Sequence, residues 1–335
     1  MVVLTTQFYT FQNIRFGQAP VGDLRFARSV TPAPISNPDE IQDNTYGPSC
    51  IAINPTDLNE TCKSSSPVYL GLGPGTVYYK GDPNQNEDCL FLDLYVPKSA
   101  LSGSPGNLPV VVWFYGGAFL FGSKSVPGSD GMLYGGAPFL QMAEEMKKEM
   151  IFVVGNYRLG GFGWLAGSYM ESNGVPNAGL TDQQLLLQWV QQNIHLVGGD
   201  KTQVSAWGES AGGSSILHHL VVNNGQTDPL FQKAILQSAA YYWAWDRTGV
   251  LNDTYQAFAE QSGCPNHDIA CLRAASVESL TTANKNIAIP NACAGKMPFG
   301  PAVDGILLKD MPPVSFQKGM LARHLYLFHF LRDIF

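Results

Sequence analysis

Short apolar runs recur through the middle of the chain, separated by polar and glycine-rich segments. Residues 110–115 and 150–157 are almost continuously apolar, whereas residues 89–97 come close to strict alternation. Continuous apolar runs of this kind are typical of strands buried on both faces. We therefore predict strands at these three segments and two more at residues 203–210 and 233–239.

The segments between these strands include helical periodicity. Residues 181–194 place four apolar side chains on one helix face: Leu185, Leu186, Trp189 and Val190. Thr181 is positioned to cap this helix, and residues 211–222 predict another. Residues 36–88 are rich in Asn, Ser, Pro and Gly and predict loops. Strands that alternate with helices predict an α/β fold, with a mostly parallel sheet covered by helices on both faces.

Composition narrows the class of protein. The chain has 335 residues, which allows two domains or one large α/β domain. Only 14% of residues are charged and 45% are hydrophobic, which excludes a disordered chain and favours a large buried core. The net charge of −7, without a basic stripe, makes nucleic acid an unexpected partner. The longest apolar run, residues 108–122, is too short to span a bilayer, and oligomeric state stays open.

Sequence features give conflicting indications of the cellular location. The first cation is Arg15, and no apolar block with a basic leader precedes it, so we predict no signal peptide. Asn59 and Asn252 each begin an Asn-x-Thr sequon, which favours glycosylation and a secretory history. Six cysteines are present but no C-x-x-C motif, so neither a metal site nor a cofactor is expected.

The clearest chemical motif is Gly208-Glu209-Ser210-Ala211-Gly212, which fits G-x-S-x-G. It follows a predicted strand and precedes a predicted helix. Glycines two residues before and after the serine would remove side chains that collide in such a tight turn. We predict Ser210 as a nucleophile and the Ala211 N–H as an oxyanion donor. An ordinary glycine-rich turn between strand and helix is the alternative.

A second glycine-rich segment follows the predicted strand at residues 110–115. Glycine there would let the backbone approach a substrate carbonyl, so we predict the N–H groups of Gly117 and Ala118 as further oxyanion donors. The alternative is a plain Gly-Gly turn between core strands.

Seven ordered blocks resemble the type-B carboxylesterase/lipase family, which includes cholinesterases and fungal lipases. They are NIRFGQAPVGDLRF, NEDCLFLDLYVP, WFYGGAFLFG, GNYRLGGFGWL, NAGLTDQQLLLQWVQQNI, GGDKTQVSAWGESAGG and FGPAVDG, within residues 8–322. The resemblance implies the α/β-hydrolase fold, a secreted family, and a small-molecule or lipid ester as substrate. It also implies acyl transfer from the ester to Ser210 and then to water.

The resemblance also implies structural pairs. Two disulfides match the family pattern, Cys50–Cys89 and Cys264–Cys271, which leaves Cys62 and Cys293 free or paired outside it. Two buried ion pairs match as well, Arg25 with Glu87 and Arg158 with Asp182. Glu209 and Ser238 match positions that support the nucleophile. For these charged and hydroxyl residues, ordinary surface positions are the alternative.

Two departures limit the resemblance. The segment between Cys50 and Cys89 has Tyr69, Tyr78 and Tyr79 but no tryptophan, which weakens a cholinesterase interpretation. We interpret this segment as a candidate lid over an apolar acyl pocket.

The second departure concerns the catalytic acid and base that a serine hydrolase needs. No position matches the family's acid, and residues 325–335 do not match its pattern. We expect residues 1–335 to form a single incomplete domain of this fold that lacks its C-terminal strands. We also expect this chain to have little esterase activity. Six histidines are the possible bases, and we interpret the first four as satisfied or surface residues: His195, His218, His219, His267, His324 and His329.

Three functions stay open at this point. The first is a serine ester hydrolase. The second is a non-catalytic binding or adhesion module of the same fold, or a pseudoenzyme, although the retained Ser210 counts against it. The third is a thioester or peptide hydrolase, because nothing in the sequence separates the leaving groups.

Overall fold

The structure is a computed structural model that describes residues 8–34, 47–62, 82–102, 107–125, 136–226, 230–239, 244–322 and 325–329. Seven strands form one sheet: β1 (Phe8–Arg15), β2 (Phe91–Pro97), β3 (Leu108–Phe114), β4 (Ile151–Gly155), β5 (Gly199–Glu209), β6 (Lys233–Gln237) and β7 (Leu325–His329). Their order is β1-β2-β4-β3-β5-β6-β7. β1 and β2 run antiparallel to their neighbours, and the remaining pairs are parallel.

Eleven helices are present in the described ranges: α1 (Pro55–Cys62), α2 (Lys98–Leu101), α3 (Ala137–Glu145), α4 (Gly160–Trp164), α5 (Ser168–Asn173), α6 (Ala178–Asn193), α7 (Ala211–His219), α8 (Val250–Gln261), α9 (Ile269–Ala274), α10 (Val277–Cys293) and α11 (Pro312–Gln317). Of these, α1 lies in the segment predicted to be loops. Its position there is set by contacts with α10 rather than by a strong local pattern.

Two apolar cores cover the two faces of the sheet, as the predicted α/β architecture requires. Alternate residues of β3 enter opposite cores, because side chains alternate along a strand. Val110, Val112 and Phe114 pack with α6 and α7 in one core. Val111 and Trp113 belong to the other core, which contains residues of α4, α8 and α10.

The five predicted strands all form, with ends that differ by a few residues. The predicted start of α6 was wrong: the helix begins at Ala178, and Thr181 lies buried inside it. Asn177 occupies the position before the helix with φ +59°, and its side chain bonds Ala302 and Asp304 rather than the first turn. Tertiary contacts therefore decide where this helix starts.

The end of the chain forms a strand that the sequence analysis did not predict. Residues 325–329 form β7, which pairs in parallel with β6 and aligns Leu327 with Ile235. The expectations that residues 325–335 fall outside the family pattern and that C-terminal strands are missing stay predictions. Residues 330–335 lie outside the described residues.

Three disulfides link the described residues. Cys50–Cys89 and Cys264–Cys271 are present as the resemblance implied. Cys62 and Cys293, which the resemblance left without a family partner, bond to each other across 231 positions. This third bond joins the end of α1 to the end of α10, and a salt bridge from Lys285 to Asp57 links the same two helices.

Candidate active site

Ser210 lies on the turn between β5 and α7. Its backbone has φ +53° and ψ −118°, a conformation that is strained for a residue with a Cβ atom. The Ser210 N–H donates to the Gln237 carbonyl at 2.9 Å, and the Ser210 carbonyl accepts from the Ser214 N–H at 2.8 Å. The serine is thus fixed from β6 on one side and from α7 on the other.

Two glycines of the motif have no room for a side chain. A Cβ atom at Gly208 would lie 2.5 Å from the backbone carbon of Gly212. A Cβ atom at Gly212 would overlap the carbonyl of Phe114 at the end of β3. The close approach of strand and helix therefore requires glycine at both positions, which is the physical reason for the G-x-S-x-G spacing.

The turn at residues 116–119, which we name the GGA turn, follows β3 and lies against Ser210. A Cβ atom at Gly116 would be 3.0 Å from the Cβ atom of Ser210. Three consecutive residues have positive φ: Gly117 at 109°, Ala118 at 55° and Phe119 at 61°. The Gly117 carbonyl accepts from the N–H groups of Leu120 and Phe121, at 2.9 and 3.1 Å.

In the described part of the chain, the three predicted oxyanion donors have no backbone acceptor. Because a trans peptide points its N–H opposite to its C=O, the Ala118 N–H is directed away from the bonds that the Gly117 carbonyl accepts. Within the described ranges, the N–H groups of Gly117, Ala118 and Ala211 donate to no backbone carbonyl. The Ala211 N–H is also the first of α7, where helix geometry leaves donors unpaired.

Glu209 and Ser238 adjoin this site. Burial raises the pKa of the half-buried Glu209 carboxyl. Its Oε2 would lie 2.6 Å from a Cβ atom at Gly116, so the GGA turn packs directly on it. Ser238 has φ +48° and follows Gln237, whose carbonyl holds Ser210.

Three of the four described histidine side chains bond groups other than Ser210. His218 Nδ1 lies 2.7 Å from the Ser214 carbonyl, and His219 Nε2 lies 3.0 Å from Gln183 Oε1. Burial lowers the pKa of His218 to about 4 and that of His219 to about 3. His267 pairs with Glu260, and His195 is exposed on the surface.

Other candidates fall outside what the structure describes. His324 lies outside the described residues, as do Tyr69, Tyr78, Tyr79 and most of the candidate lid. The backbone of His329 ends β7 opposite Gln237. The catalytic acid and base therefore have no assignment among the described side chains.

Two buried ion pairs flank the segment after β4. Arg25 binds Glu87 through two hydrogen bonds of 2.7 and 2.6 Å. Arg158 binds Asp182 through its Nε and Nη2 atoms at 2.9 and 2.8 Å. Buried pairs of this kind fix geometry more than they add stability. The pair of Arg158 with Asp182 anchors the chain directly beyond Tyr157.

The sequence analysis missed two polar contacts that bear on the site. Lys124, buried after the GGA turn, pairs with the buried Asp93 of β2 at 2.7 Å. Tyr115 and Tyr157 bond to each other's backbone next to the GGA turn. The available signal was that each tyrosine ends a predicted buried strand.

The two predicted glycosylation sites lie on helices. Asn59 lies in α1. Asn252 lies in α8, half-buried, and its Oδ1 accepts from the Tyr169 N–H at 3.3 Å. Modification of either asparagine stays a prediction.

Within the described ranges, no three His, Cys, Asp or Glu side chains gather as a metal site would require. No helix in those ranges is both long and apolar enough to cross a bilayer.

Comparisons with known proteins give the family. The model of the Carboxylesterase family matches residues 2–326. A secreted lipase of Arthroderma benhamiae is 40% identical over 285 residues, covering 84% of this chain and 51% of the lipase. Lipase 1 of Geotrichum candidum is 34% identical over 347 residues, covering 97% of this chain and 59% of the lipase.

A solved PNB esterase superposes with a TM-score of 0.75 at 30% identity, covering 98% of this chain and 60% of that esterase. The chain thus spans about half to three fifths of the length of these relatives. Its sheet and helices have the α/β-hydrolase fold of these neighbours. The chain belongs to the carboxylesterase family.

Proposed function

We propose that Ser210 is the nucleophile of a carboxylic ester hydrolase. The observation that carries this proposal is the strained Ser210 turn in contact with the GGA turn, with a Gly116 Cβ position 3.0 Å from Ser210 Cβ. Strained serines on such turns are typical of nucleophiles.

The reaction proceeds in two transfers. Ser210 Oγ attacks the ester carbonyl carbon, an O–C bond forms, and the carbonyl oxygen takes the displaced electron pair. The N–H groups of Gly117, Ala118 and Ala211 stabilise this oxyanion. Collapse breaks the bond to the alkoxide, which leaves with the serine's proton. Water then attacks the acyl-enzyme, releases the acid and returns a proton to Ser210.

The proton acceptor for these steps is not among the described histidines, because their ring nitrogens bond Ser214, Gln183 and Glu260 or lie on the surface. Labelling by a reactive reagent needs only one attack by Ser210, because a good leaving group departs without a proton from the protein, so it tolerates a poorly placed base better than turnover does. Turnover additionally requires a base to activate water. We therefore expect covalent labelling of Ser210 together with slow ester turnover in this chain.

The test uses a fluorophosphonate, in which Oγ forms a bond to phosphorus and fluoride leaves. We expect mass spectrometry to find the adduct on Ser210 and none in Ser210→Ala. Ser214→Ala is the matched control: it lies one turn further along α7, and its buried hydroxyl bonds none of the described residues. Hydrolysis of a short p-nitrophenyl ester is measured in parallel.

An unlabelled Ser210 in a folded chain would contradict the proposal and favour the non-catalytic binding module. Rapid ester turnover that is lost in Ser210→Ala would contradict only the expectation of slow turnover.

The relatives and the disulfides also bear on the substrate class and on the cellular location. Relatives named lipases support a small-molecule or lipid ester as substrate. Three disulfides and a relative named a secreted lipase support an oxidising, extracellular setting.

A further inference from the structure

Three hydrogen bonds from elsewhere in the chain restrain the GGA turn and the residues on either side of it. They join Tyr157 Oη to the Tyr115 carbonyl at 2.7 Å, the Gly160 N–H to the Phe119 carbonyl at 2.7 Å, and the Ile53 N–H to the Leu120 carbonyl at 2.8 Å. Left-handed backbone at two non-glycine residues costs about 1–2 kcal/mol each. The turn therefore needs such restraints to keep its conformation. Two of the three come from the segment directly after β4.

The restraint from Tyr157 belongs to a reciprocal pair. The Tyr115 hydroxyl donates to the Tyr157 carbonyl at 3.3 Å and accepts from the Tyr157 N–H at 3.2 Å. The two rings stack with centroids 4.4 Å apart and planes 15° from parallel. Both residues are fully buried, so loss of either hydroxyl would remove a hydrogen bond from a buried backbone group.

The two hydroxyls act on different parts of the chain. Tyr157 Oη fixes the carbonyl of Tyr115 and, because the peptide is planar, fixes the whole Tyr115–Gly116 unit. That unit is the one immediately before the peptide that carries the Gly117 N–H. The Tyr115 hydroxyl instead acts on the backbone of residue 157, beyond β4.

We infer that Tyr157 is a positioning residue for the oxyanion hole, acting through the Tyr115 carbonyl to orient the N–H groups of Gly117 and Ala118. This inference rests on the proposed function of Ser210. Tyr157 touches no substrate in this role.

The test compares Tyr157→Phe with Tyr255→Phe. Tyr255 is an equally buried tyrosine on α8, whose hydroxyl donates to the His267 carbonyl at 2.8 Å and whose ring stacks on Tyr169 at 4.8 Å. Both substitutions remove a phenol-to-carbonyl bond from a buried tyrosine, so Tyr255→Phe controls for a general loss of stability. Two readouts are taken on the full chain: the fluorophosphonate labelling rate of Ser210, and the amide resonances of Gly116, Gly117 and Ala118 in selectively labelled protein.

We expect Tyr157→Phe to lower the labelling rate about 10- to 100-fold, the size of effect that a misplaced catalytic group produces. The three amide resonances should shift in this variant and stay in place in Tyr255→Phe, which should be labelled at nearly the native rate.

Equal labelling rates in the two variants, or unmoved resonances in Tyr157→Phe, would overturn the inference. If the native chain is not labelled at all, the proposed function of Ser210 fails. The amide resonances then decide the role of Tyr157 by themselves: a shift supports positioning of the turn, and its absence overturns it.

Discussion

The Ser210 turn and the GGA turn meet at one site, but different contacts hold them. The Ser210 turn depends chiefly on glycines close to it in sequence, since Gly208 and Gly212 let strand and helix close onto each other, and one distant bond to Gln237 supports it. The GGA turn is fixed from a distance, by Tyr157, Gly160 and Ile53. Local glycines can be recognised in a sequence, whereas distant anchors become visible only once the chain has folded.

Because different contacts hold the two turns, mutations should affect them separately. Changes along α7 should disturb the Ser210 turn first, and changes in the anchoring segments should disturb the GGA turn first. The following experiments separate the two.

Acid should produce the largest effect, through α7. The unfolded chain protonates histidine near pH 6.5, whereas burial lowers the pKa of His218 to about 4 and of His219 to about 3. Their contribution to stability is therefore complete above about pH 6.5 and is lost as pH falls towards those folded-state values. Between about pH 6.5 and 4.5 we expect a loss of roughly 2–5 kcal/mol in the free energy of unfolding, measured with urea at each pH.

Two variants isolate this effect from that of other acidic groups. His219→Gln removes one buried titrating group and should flatten the dependence on pH. His195→Gln, at an exposed position, should leave it as in the native chain. The same slope in all three proteins would contradict the assignment to α7.

Removing the Cys62–Cys293 bond should act on the other turn. A disulfide that closes a long loop typically stabilises by about 2–4 kcal/mol, so Cys62→Ser with Cys293→Ser should lower the free energy of unfolding, measured by denaturant titration, by that amount. α1 starts two residues after Ile53, so loosening this helix should also weaken the anchor on the Leu120 carbonyl. We expect slower labelling of Ser210 as well.

The control removes Cys264–Cys271, which closes a loop of only 7 positions. Its loss should cost less stability, because the entropy of loop closure rises with loop length. A greater loss than in the long-loop variant, or unchanged labelling in both, would count against this expectation.

Gly212→Ala should break the Ser210 turn itself. The added Cβ atom would overlap the Phe114 carbonyl, and overpacking of this kind costs about 1–3 kcal/mol. Gly213→Ala is the neighbouring control, since its nearest contacts begin at 3.1 Å and need only small shifts. Thermal melting and Ser210 labelling should both fall in the first variant and change little in the second. Equal behaviour would show that the close approach at Gly212 is not required.

Sequence patterns located the parts of the molecule that local residues determine. The apolar runs identified five strands, and the glycines around Ser210 identified its turn. The start of α6 could not be predicted, because Asn177 bonds residues 302–304 instead of capping the helix. β1 was missed because Asn13, with φ +58°, and a register shift between Phe11 and Ile14 interrupt its alternation.

No sequence pattern indicated the contacts between residues that lie far apart in the chain. Nothing near Cys62 indicates Cys293 as its partner, and the resemblance covered only the other two pairs. The role inferred for Tyr157 likewise depends on the pairing of β3 with β4, which brings the ends of two separate apolar runs together.

The Cys62–Cys293 bond also makes most of the chain a closed ring. Strands β2 to β6, the GGA turn and Ser210 all lie inside it. A protease that cuts once within the ring leaves a single covalent molecule, which separates into two pieces only after reduction. Under mechanical tension applied at the chain ends, the 231 positions between the two cysteines cannot extend. At roughly 3.5 Å per residue, these positions correspond to about 800 Å of contour length, which the pulling force can extend only after the bond is reduced.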